Sequence, residues 1–477
     1  MRKSLTGAAL AALLIASPAL ADPATPEGAS AALARYAAVI GQAAVDKGAV
    51  SVKPDGDSYV VTWTLDAIIP KPKSIGDPIV SVAPFSYRET PKGEGAFAWH
   101  ADSFPKISIS DNSDEPGTLL INGDMVLIDV DFDPHAPEPL HATADIGKFS
   151  VDFTLKKSDG PVDYHATTAD QHVDVVAKKG AADGTVDLTL RNTASSGVQR
   201  LAASIEAAKG AEVDATLNEG TRHAAIAIQG LRSDALGAVA AYLAAHKDEA
   251  ALEEDPQMAD LIKAAIPFFD HFALTGDQSG DKLVSAVAVG GFDKTDLAIE
   301  STGAAPDDRA RLHIAFDKLT AASPLLPAWT ASVFPLSFDM DWRVEFHGLD
   351  KAAALAVESG GNGDGDAIQG AITQQPARLD AKASLRSPII ALDATSQATL
   401  TPPPSGTTHV TADGLDKLAD LIKKIGLDPH DTQQYLAMLA AVGKIARKDA
   451  DGHLAWDVQG AGQDVRINGT PLTKLMR

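Results

Sequence analysis

The sequence predicts an α+β fold: long twisted antiparallel β-sheets with several packed α-helices, elongated and β-rich. The first observation behind this is strict alternation over long stretches. In LSFDMDWRVEFHGLD (336–350), Leu336, Phe338, Met340, Trp342, Val344 and Phe346 share one face, while Ser337, Asp339, Asp341, Arg343, Glu345 and His347 share the other. A strand with one apolar and one wet face belongs to an antiparallel sheet, whereas a parallel sheet covered on both sides reads as a continuous apolar run. The second observation is that alanine-rich segments of helical period interrupt the strands. The third is that 45% of the residues are apolar, which argues for packed cores and against a disordered chain.

Taken in order, residues 25–47 (TPEGASAALARYAAVIGQAAVDK) read as an alanine-rich helix. A hairpin follows, from Val50 and Val52 through a turn at Pro54-Asp55-Gly56-Asp57 to Tyr59, Val61, Trp63 and Leu65 on alternate positions. Proline and glycine punctuate the chain up to Gly95, which predicts loops and short edge strands. Residues 119–133 place Val126, Ile128, Val130 and Phe132 on one face, just after a hairpin signal at Asn122-Gly123. Residues 148–156 do the same with Phe149, Val151, Phe153 and Leu155, and the scheme recurs at Val186, Leu188 and Leu190 and at Leu312, Ile314 and Phe316.

Helices are expected at about 233–247, 256–266, 413–425 and 431–446, with Ser233, Asp413 and Asp431 as N-caps. Three junctions share a Gly-Leu step from strand or loop into helix: IQGLRSDALGAV (228–239), FHGLDKAAALAV (346–357) and ADGLDKLADLI (412–422). Their irregular spacing marks a reused device rather than a solenoid period. Turn-rich stretches at 359–366 (SGGNGDGD) and 401–406 (TPPPSG) read as linkers. The expected organisation is a signal peptide (1–21), an N-terminal helix with a β-rich region (22–220), a central strand and helix region with long amphipathic strands (221–400), and a C-terminal helical hairpin with a closing β-hairpin (401–477).

The first residues, MRKSLTGAALAALLIASPALADP, combine a basic start, a short apolar stretch and a small-x-small site at Ala19-Leu20-Ala21, the pattern of an export signal. Cleavage there would leave a protein without a transmembrane segment, placed in the periplasm. The chain contains no cysteine, which removes disulfides, thiol catalysis and thiolate metal sites. With 41 Lys and Arg against 64 Asp and Glu, the net charge of −23 repels phosphate backbones, so nucleic acid is not an expected partner.

Candidate chemistry is thin. Asp129, Asp131, Asp133 and His135 could share one strand face, but carboxylates about 7 Å apart are too widely spaced for a single-metal cage. Asn362-Gly-Asp364-Gly-Asp366 resembles the start of a calcium loop yet has Ala367 where glycine is needed and Thr373 where the bidentate glutamate belongs. His135, Glu138 and His141 are separated by prolines that prevent a helix from gathering them. The sequence holds no nucleophile elbow, phosphate-binding glycine loop, His-Glu-x-x-His helix or dinucleotide fingerprint, so no catalytic residue, metal or cofactor is expected.

The closing stretch DADGHLAWDVQGAGQDVRINGTPLTKL (449–475), the Gly-Leu-Asp-Lys junctions and PLLPAWTASVFPLSFDMDWRVEFHGLD (324–350) resemble a family of uncharacterised Gram-negative periplasmic proteins. These carry a domain of unknown function and are distantly YdgA-like and AsmA-like. The resemblance spans about residues 30–475. It implies long curved antiparallel sheets and, through the AsmA-like branch, a link to envelope lipid transport or outer-membrane homeostasis. It transfers no catalytic residue.

A strand of about ten alternating residues spans roughly 33 Å, longer than the usual five or six residues. If helices leave its apolar face open, Phe338, Met340, Trp342, Val344 and Phe346 line a groove for an acyl chain or another apolar ligand; if they cover it, the same residues are core. The expected partner is lipid or another envelope protein. The alternatives are a protein-interaction scaffold without a small ligand and an unrecognised hydrolase.

Overall fold

The structure is a computed structural model. It describes residues 24–475 apart from 70–71, 73, 75–76, 94–95, 112, 114–115, 157–160, 206–210, 246–254, 286–288, 324–326, 359–369, 372–376, 401–402 and 463. The signal segment, the stretch read as a linker at 359–366 and the calcium-like loop therefore lie outside the described residues. The chain divides into two compact units, residues 1–265 with 284–286 and residues 266–283 with 287–477. The strands pair antiparallel, as the alternation requires.

In the first unit, α1 (Pro26–Ile40) starts at Thr25, whose hydroxyl accepts the Gly28 amide, and stops at Gly41. After α2 (Gln42–Asp46), β1 (Val50–Asp55) and β2 (Ser58–Trp63) form the expected hairpin, with Asp55 opposite Ser58. Tyr59, Val61 and Trp63 alternate into the core, where Val61 and Trp63 join Val50 and Tyr36 of α1. Burial of such side chains, about 1.5–3 kcal/mol each, is what holds an alanine-rich helix on a short hairpin.

Then follow β3 (Ile79–Val82), β4 (Phe85–Gly93), β5 (Ala96–Ala101), β6 (Ile107–Ser110), β7 (Gly117–Phe132), β8 (Leu140–Leu155), β9 (Val162–Lys179), β10 (Val186–Ile205), β11 (Ala211–Glu219) and β12 (Thr221–Leu231). β4 corrects the expectation of loops and edge strands before Gly95, since it pairs with both β2 and β5. Pro91 and Gly93 disguised it, and the register shifts between them. The edge strand of this region is β3, paired with β6.

The Asn122-Gly123 signal is not a turn. Both residues lie within β7, which runs on against β8 from Gly117 to Phe132. The break in pattern that mimicked a turn is a line of irregular residues crossing four strands. Met125 (φ 52°), Gly147, Asp170 (φ 46°) and Ser195 are skipped in the pairing of β7, β8, β9 and β10 at mutually opposite positions. At that line the apolar phase of each strand flips, so Ile121 and Val126 of β7, or Ile146 and Phe149 of β8, stay on one face although their numbers differ in parity. Gly147 lets the Met125 side chain lie across β8 at this line, since a Cβ would sit 2.8 Å from its terminal methyl. After β12 come α3 (Ser233–Ala245) and α4 (Pro256–Ala264), the latter capped by Asp255.

The second unit contains most of β13 (His271–Ser285), then β14 (Val289–Ser301), β15 (Asp307–Asp317), β16 (Thr320–Ala322), α5 (Thr330–Val333), β17 (Ser337–His347), α6 (Leu349–Glu358), β18 (Arg378–Arg386), β19 (Ala391–Thr399), β20 (Ser405–Asp413), α7 (Leu415–Lys424), α8 (Pro429–Ile445), β21 (Arg447–Lys448), β22 (Leu454–Ala461), β23 (Asp464–Ile467) and β24 (Thr470–Pro471). Its sheet order is β14-β15-β17-β18-β19-β20-β22-β23. Thr399 pairs with Ser405, so the stretch read as a linker at 401–406 is a hairpin connection whose last two residues already belong to β20.

The Gly-Leu junctions share a backbone device: Gly230, Gly348 and Gly414 have φ of 63°, 77° and 85°. For α7 the cap is Gly414 and not the expected Asp413, which ends β20; for α8 it is Asp428, whose side chain accepts the His430 amide, and not Asp431 one turn later.

Candidate functional site: an open apolar sheet face

Directly paired residues of neighbouring strands point to the same side of a sheet, so the registers trace the face on which the sequence placed its candidate residues. Trp342 of β17 lies between Leu312 of β15 and Ala381 of β18, and the row continues through Ser396, Thr408 and Val458. Met340 lies in the row Ile314, Ala383, Ala394, Val410, Trp456. Phe338 stacks on Phe316 at 5.7 Å between ring centres and leads to Leu385 and Leu392. Val344 leads through Leu379 and Ala398 to Gly406 and Gly460. Phe346 shares the phase but faces Asp308 beyond the end of the β18 pairing.

The side chains across this face are graded in size. Large ones stand on β17 and on β22, where Trp456 and Val458 sit; the strands between them carry mainly alanine, serine, threonine and glycine in the two central rows. The result is a trough running along the strands. Two cavities border the same strands but lie between polar rows of the alternate phase: one of about 390 Å³ is lined by Asp380, Lys382, His409 and Asp457 among others, and one of about 610 Å³ by Arg378, Asp380, Asp464 and Arg466 among others. The walls differ in coverage: Trp456 is 7% exposed, its indole donating to the Val442 carbonyl of α8 at 3.0 Å, whereas Trp342 is 45% exposed. Leu297, Ile299 and Ile314 in the same rows are also exposed. The described helices therefore leave the β17 side of the face open.

The opposite face is polar and paired. Arg311 reaches Glu300 and Asp341 at 3.0 Å each, and Arg343 reaches Asp341 at 3.1 Å. The Arg311 guanidinium hydrogen-bonded to it holds the Asp341 carboxyl below the usual carboxylate range. The other candidate clusters are tied up in similar surface pairs: His100 Nδ1 lies 2.7 Å from Asp129, Lys92 2.6 Å from Asp131, Lys178 2.9 Å from Glu138 and His141 2.9 Å from Asp174. Glu138 and His141 thus have different partners, and His141 is not in the expected loop but within β8, opposite Asp131 of β7.

Sequence reasoning missed three polar groups. Glu89 of β4, 3% exposed, accepts from Arg35 (2.5 Å), Tyr36 (2.7 Å) and Trp99 (3.2 Å). Burial pushes the hydroxyl of Tyr87 up to about 12 and that of Tyr36 further in the same direction. In the middle of the first unit's apolar face, Glu219 is buried and accepts from Arg222 (2.5 Å) and Gln199 (2.6 Å), with Tyr164 donating on to Gln199 at 3.1 Å. This belt sits beside the line of irregular residues, and its members satisfy one another's polar groups on an otherwise apolar face. The signal was available: Gln199 and Glu219 interrupt otherwise apolar rows once the register is known.

The third group is Asp449, Asp451 and His453, whose candidate ligand atoms lie within 4.8 Å of one another. Their hydrogen bonds fold a turn, since Asp449 Oδ1 accepts the amides of Asp451 and His453, while His453 Nδ1 lies 2.5 Å from Asp413. The hydrogen bond to Asp413, then its charge, raises the His453 pKa above the ordinary 6.5. A raised folded-state value means a stabilising contribution that is complete below pH 6.5 and fades as pH rises through the folded value. Thermal melts from pH 5.5 to 8.5 are expected to show this loss in the native chain and a flatter profile in His453→Gln; identical profiles would refute the coupling.

Compared with known proteins, the chain matches no family model, no curated protein and no solved structure. Fold and site define a β-rich α+β protein with an antiparallel sheet whose apolar face is partly open. Among the described residues, no helix is long and apolar enough to cross a membrane.

Proposed function

We propose that this is an exported periplasmic protein of the cell envelope that binds lipid, with an acyl chain lying in the trough of the second unit on a long twisted sheet with packed helices. The observation that carries the reading is the open apolar wall at Trp342, where an indole 45% exposed stands over a floor of small side chains. An exposed contiguous apolar surface favours a binding role. The linear floor of small side chains between the taller residues of β17 and β22 suits an extended chain better than a flat protein epitope. The export-signal pattern and the resemblance to AsmA-like proteins support the same compartment and ligand class.

The test is native mass spectrometry of the protein purified from its own periplasm, followed by solvent extraction and lipid analysis, with Trp342→Asp as the comparison. A stoichiometric lipid in the native chain, lost in a folded Trp342→Asp variant, is the expected result. Because Trp342 is nearly half exposed, the substituted chain is expected to keep its fold; global unfolding would make the residue core. A clean ligand-free mass would favour the scaffold reading, in which the face meets a protein.

A further inference from the structure

α8 has the sequence PHDTQQYLAMLAAVGKI, and from Tyr435 to Val442 every residue is apolar. A helix apolar all round is ordinarily buried, and this one is not. Leu436 and Leu439 are half-buried, but Tyr435, Met438 and Val442 are 48%, 62% and 39% exposed, and Ala437 and Ala441 beside them are exposed too. Spacings of three and seven residues put Tyr435, Met438 and Val442 in one stripe.

The helix is fixed at the trough. Trp456 Nε1 donates to the Val442 carbonyl at 3.0 Å, and Asn468 Nδ2 donates to the Ile445 carbonyl at 2.5 Å. The stripe therefore stands beside β22, the covered wall of the apolar face. Its charge is equally distinctive. In a chain of net charge −23, residues 435–448 carry Lys444, Arg447 and Lys448 and no carboxylate. All three cations are exposed, as are Lys423 and Lys424 at the end of α7. Of the nearby acids, Asp449 is engaged in its turn, Asp413 is paired with His453 and Asp420 with Lys423, while Asp451 is exposed.

An exposed apolar helical stripe terminated by basic residues matches the chemistry of an anionic lipid surface, where the apolar side chains enter the headgroup boundary and the cations meet phosphates. We propose that α8, with Tyr435, Met438 and Val442 leading and Lys444 and Lys448 flanking, docks the protein on an anionic lipid surface and so presents the trough to the lipids it takes up. The idea rests on the trough as a lipid site for its purpose, although the docking itself does not require it.

The experiment is flotation of the full mature chain with vesicles of phosphatidylethanolamine and phosphatidylglycerol, and with vesicles of phosphatidylcholine alone. Binding to the anionic vesicles, weaker in high salt and absent from phosphatidylcholine, is expected. Met438→Asp with Val442→Asp should lower it by about tenfold or more, and Lys444→Glu with Lys448→Glu should weaken it while preserving the apolar stripe. All four positions are exposed, and circular dichroism checks the fold of each variant. Equal binding to both vesicle types, or anionic binding unaffected by either double variant, would overturn the proposal. So would vesicle binding absent alongside self-association that Met438→Asp with Val442→Asp abolishes, which would make the stripe an interface with a second copy. Lipid content is measured separately by extraction: helix-dependent flotation by a chain that carries no lipid would leave docking standing and remove the trough reading, and the converse result would do the reverse.

Discussion

Replacing Arg35 with methionine is expected to destabilise the N-terminal core of the first unit by about 3 kcal/mol, the scale of breaking a buried ion pair from one side. Glu89 sits in the middle strand of that core, its side chain 4% exposed, and Arg35 is the cation paired with it at 2.5 Å. Tyr36 and Trp99 would continue to donate to the carboxylate, but neither neutralises it. Arg35 is itself 26% exposed, so some water reaches the site and the cost falls at the low end of the range. The measurement is native-state hydrogen exchange of β2 and β4, which reports the opening free energy of that region rather than of the whole chain. A second variant separates charge from packing: Arg35→Met with Glu89→Gln should recover much of the loss, because a neutral amide retains the tyrosine and tryptophan donors without needing a cation. A cost for Arg35→Met below about 1 kcal/mol, the level of an exposed pair, would mean that the carboxylate is effectively solvated.

That site also shows what the sequence could reveal and what it could not. Alternation assigned the faces of β2, β8, β10, β15 and β17 correctly, because one side chain in two must point to the core and a strand has no other way to bury it. For β17 the expected apolar set and the observed rows coincide from Phe338 to Val344. What defeated the reading was phase. At Met125, Gly147, Asp170 and Ser195 the chain changes parity without leaving the sheet, and a parity change beside Asn122-Gly123 is indistinguishable from a turn when only one strand is in view. β4 was hidden because proline weakens the strand signal, although Pro91 is paired with Phe97. The polar sites were out of reach for a different reason: Arg35 and Glu89 are 54 residues apart, and Gln199 meets Glu219 only through the β10 to β11 register. Sequence could frame the openness of the face at Trp342 as a question, since coverage depends on where the helices settle and not on the strand itself.

Gly414→Ala is expected to be among the most damaging single-methyl changes in the second unit, costing about 3 kcal/mol, while Gly426→Ala costs about 1 kcal/mol; the shared part is the left-handed backbone penalty of about 1–2 kcal/mol for a residue with a Cβ. Both glycines have positive φ, 85° and 72°, and they flank α7 at its start and just past its end. They differ in surroundings. A Cβ at Gly426 meets nothing within 4 Å, whereas one at Gly414 would fall 1.7 Å from the Ile389 carbonyl oxygen, with the rest of that carbonyl and the next Cα close behind. Backbone on both sides of that contact must move, which draws β20 and the strand start at Ala391 out of register with the floor of the trough. Denaturant unfolding of the two variants gives the comparison directly, and equal costs would show that the clash relaxes freely. The same distinction explains why the cap position 414 holds glycine and not a preferred capping residue: an aspartate at 414 would offer a side-chain oxygen to an amide, but it would bring a Cβ for which the approach of Ile389 leaves no room. Gly348, before α6, obeys the rule more loosely, with a Cβ 2.8 Å from the Ala371 carbonyl oxygen. The repeated Gly-Leu step is thus a way to turn a helix back tightly at the end of a sheet strand, and its strictness at Gly414 follows from how closely the Ile389 carbonyl of the β18 to β19 connection approaches it.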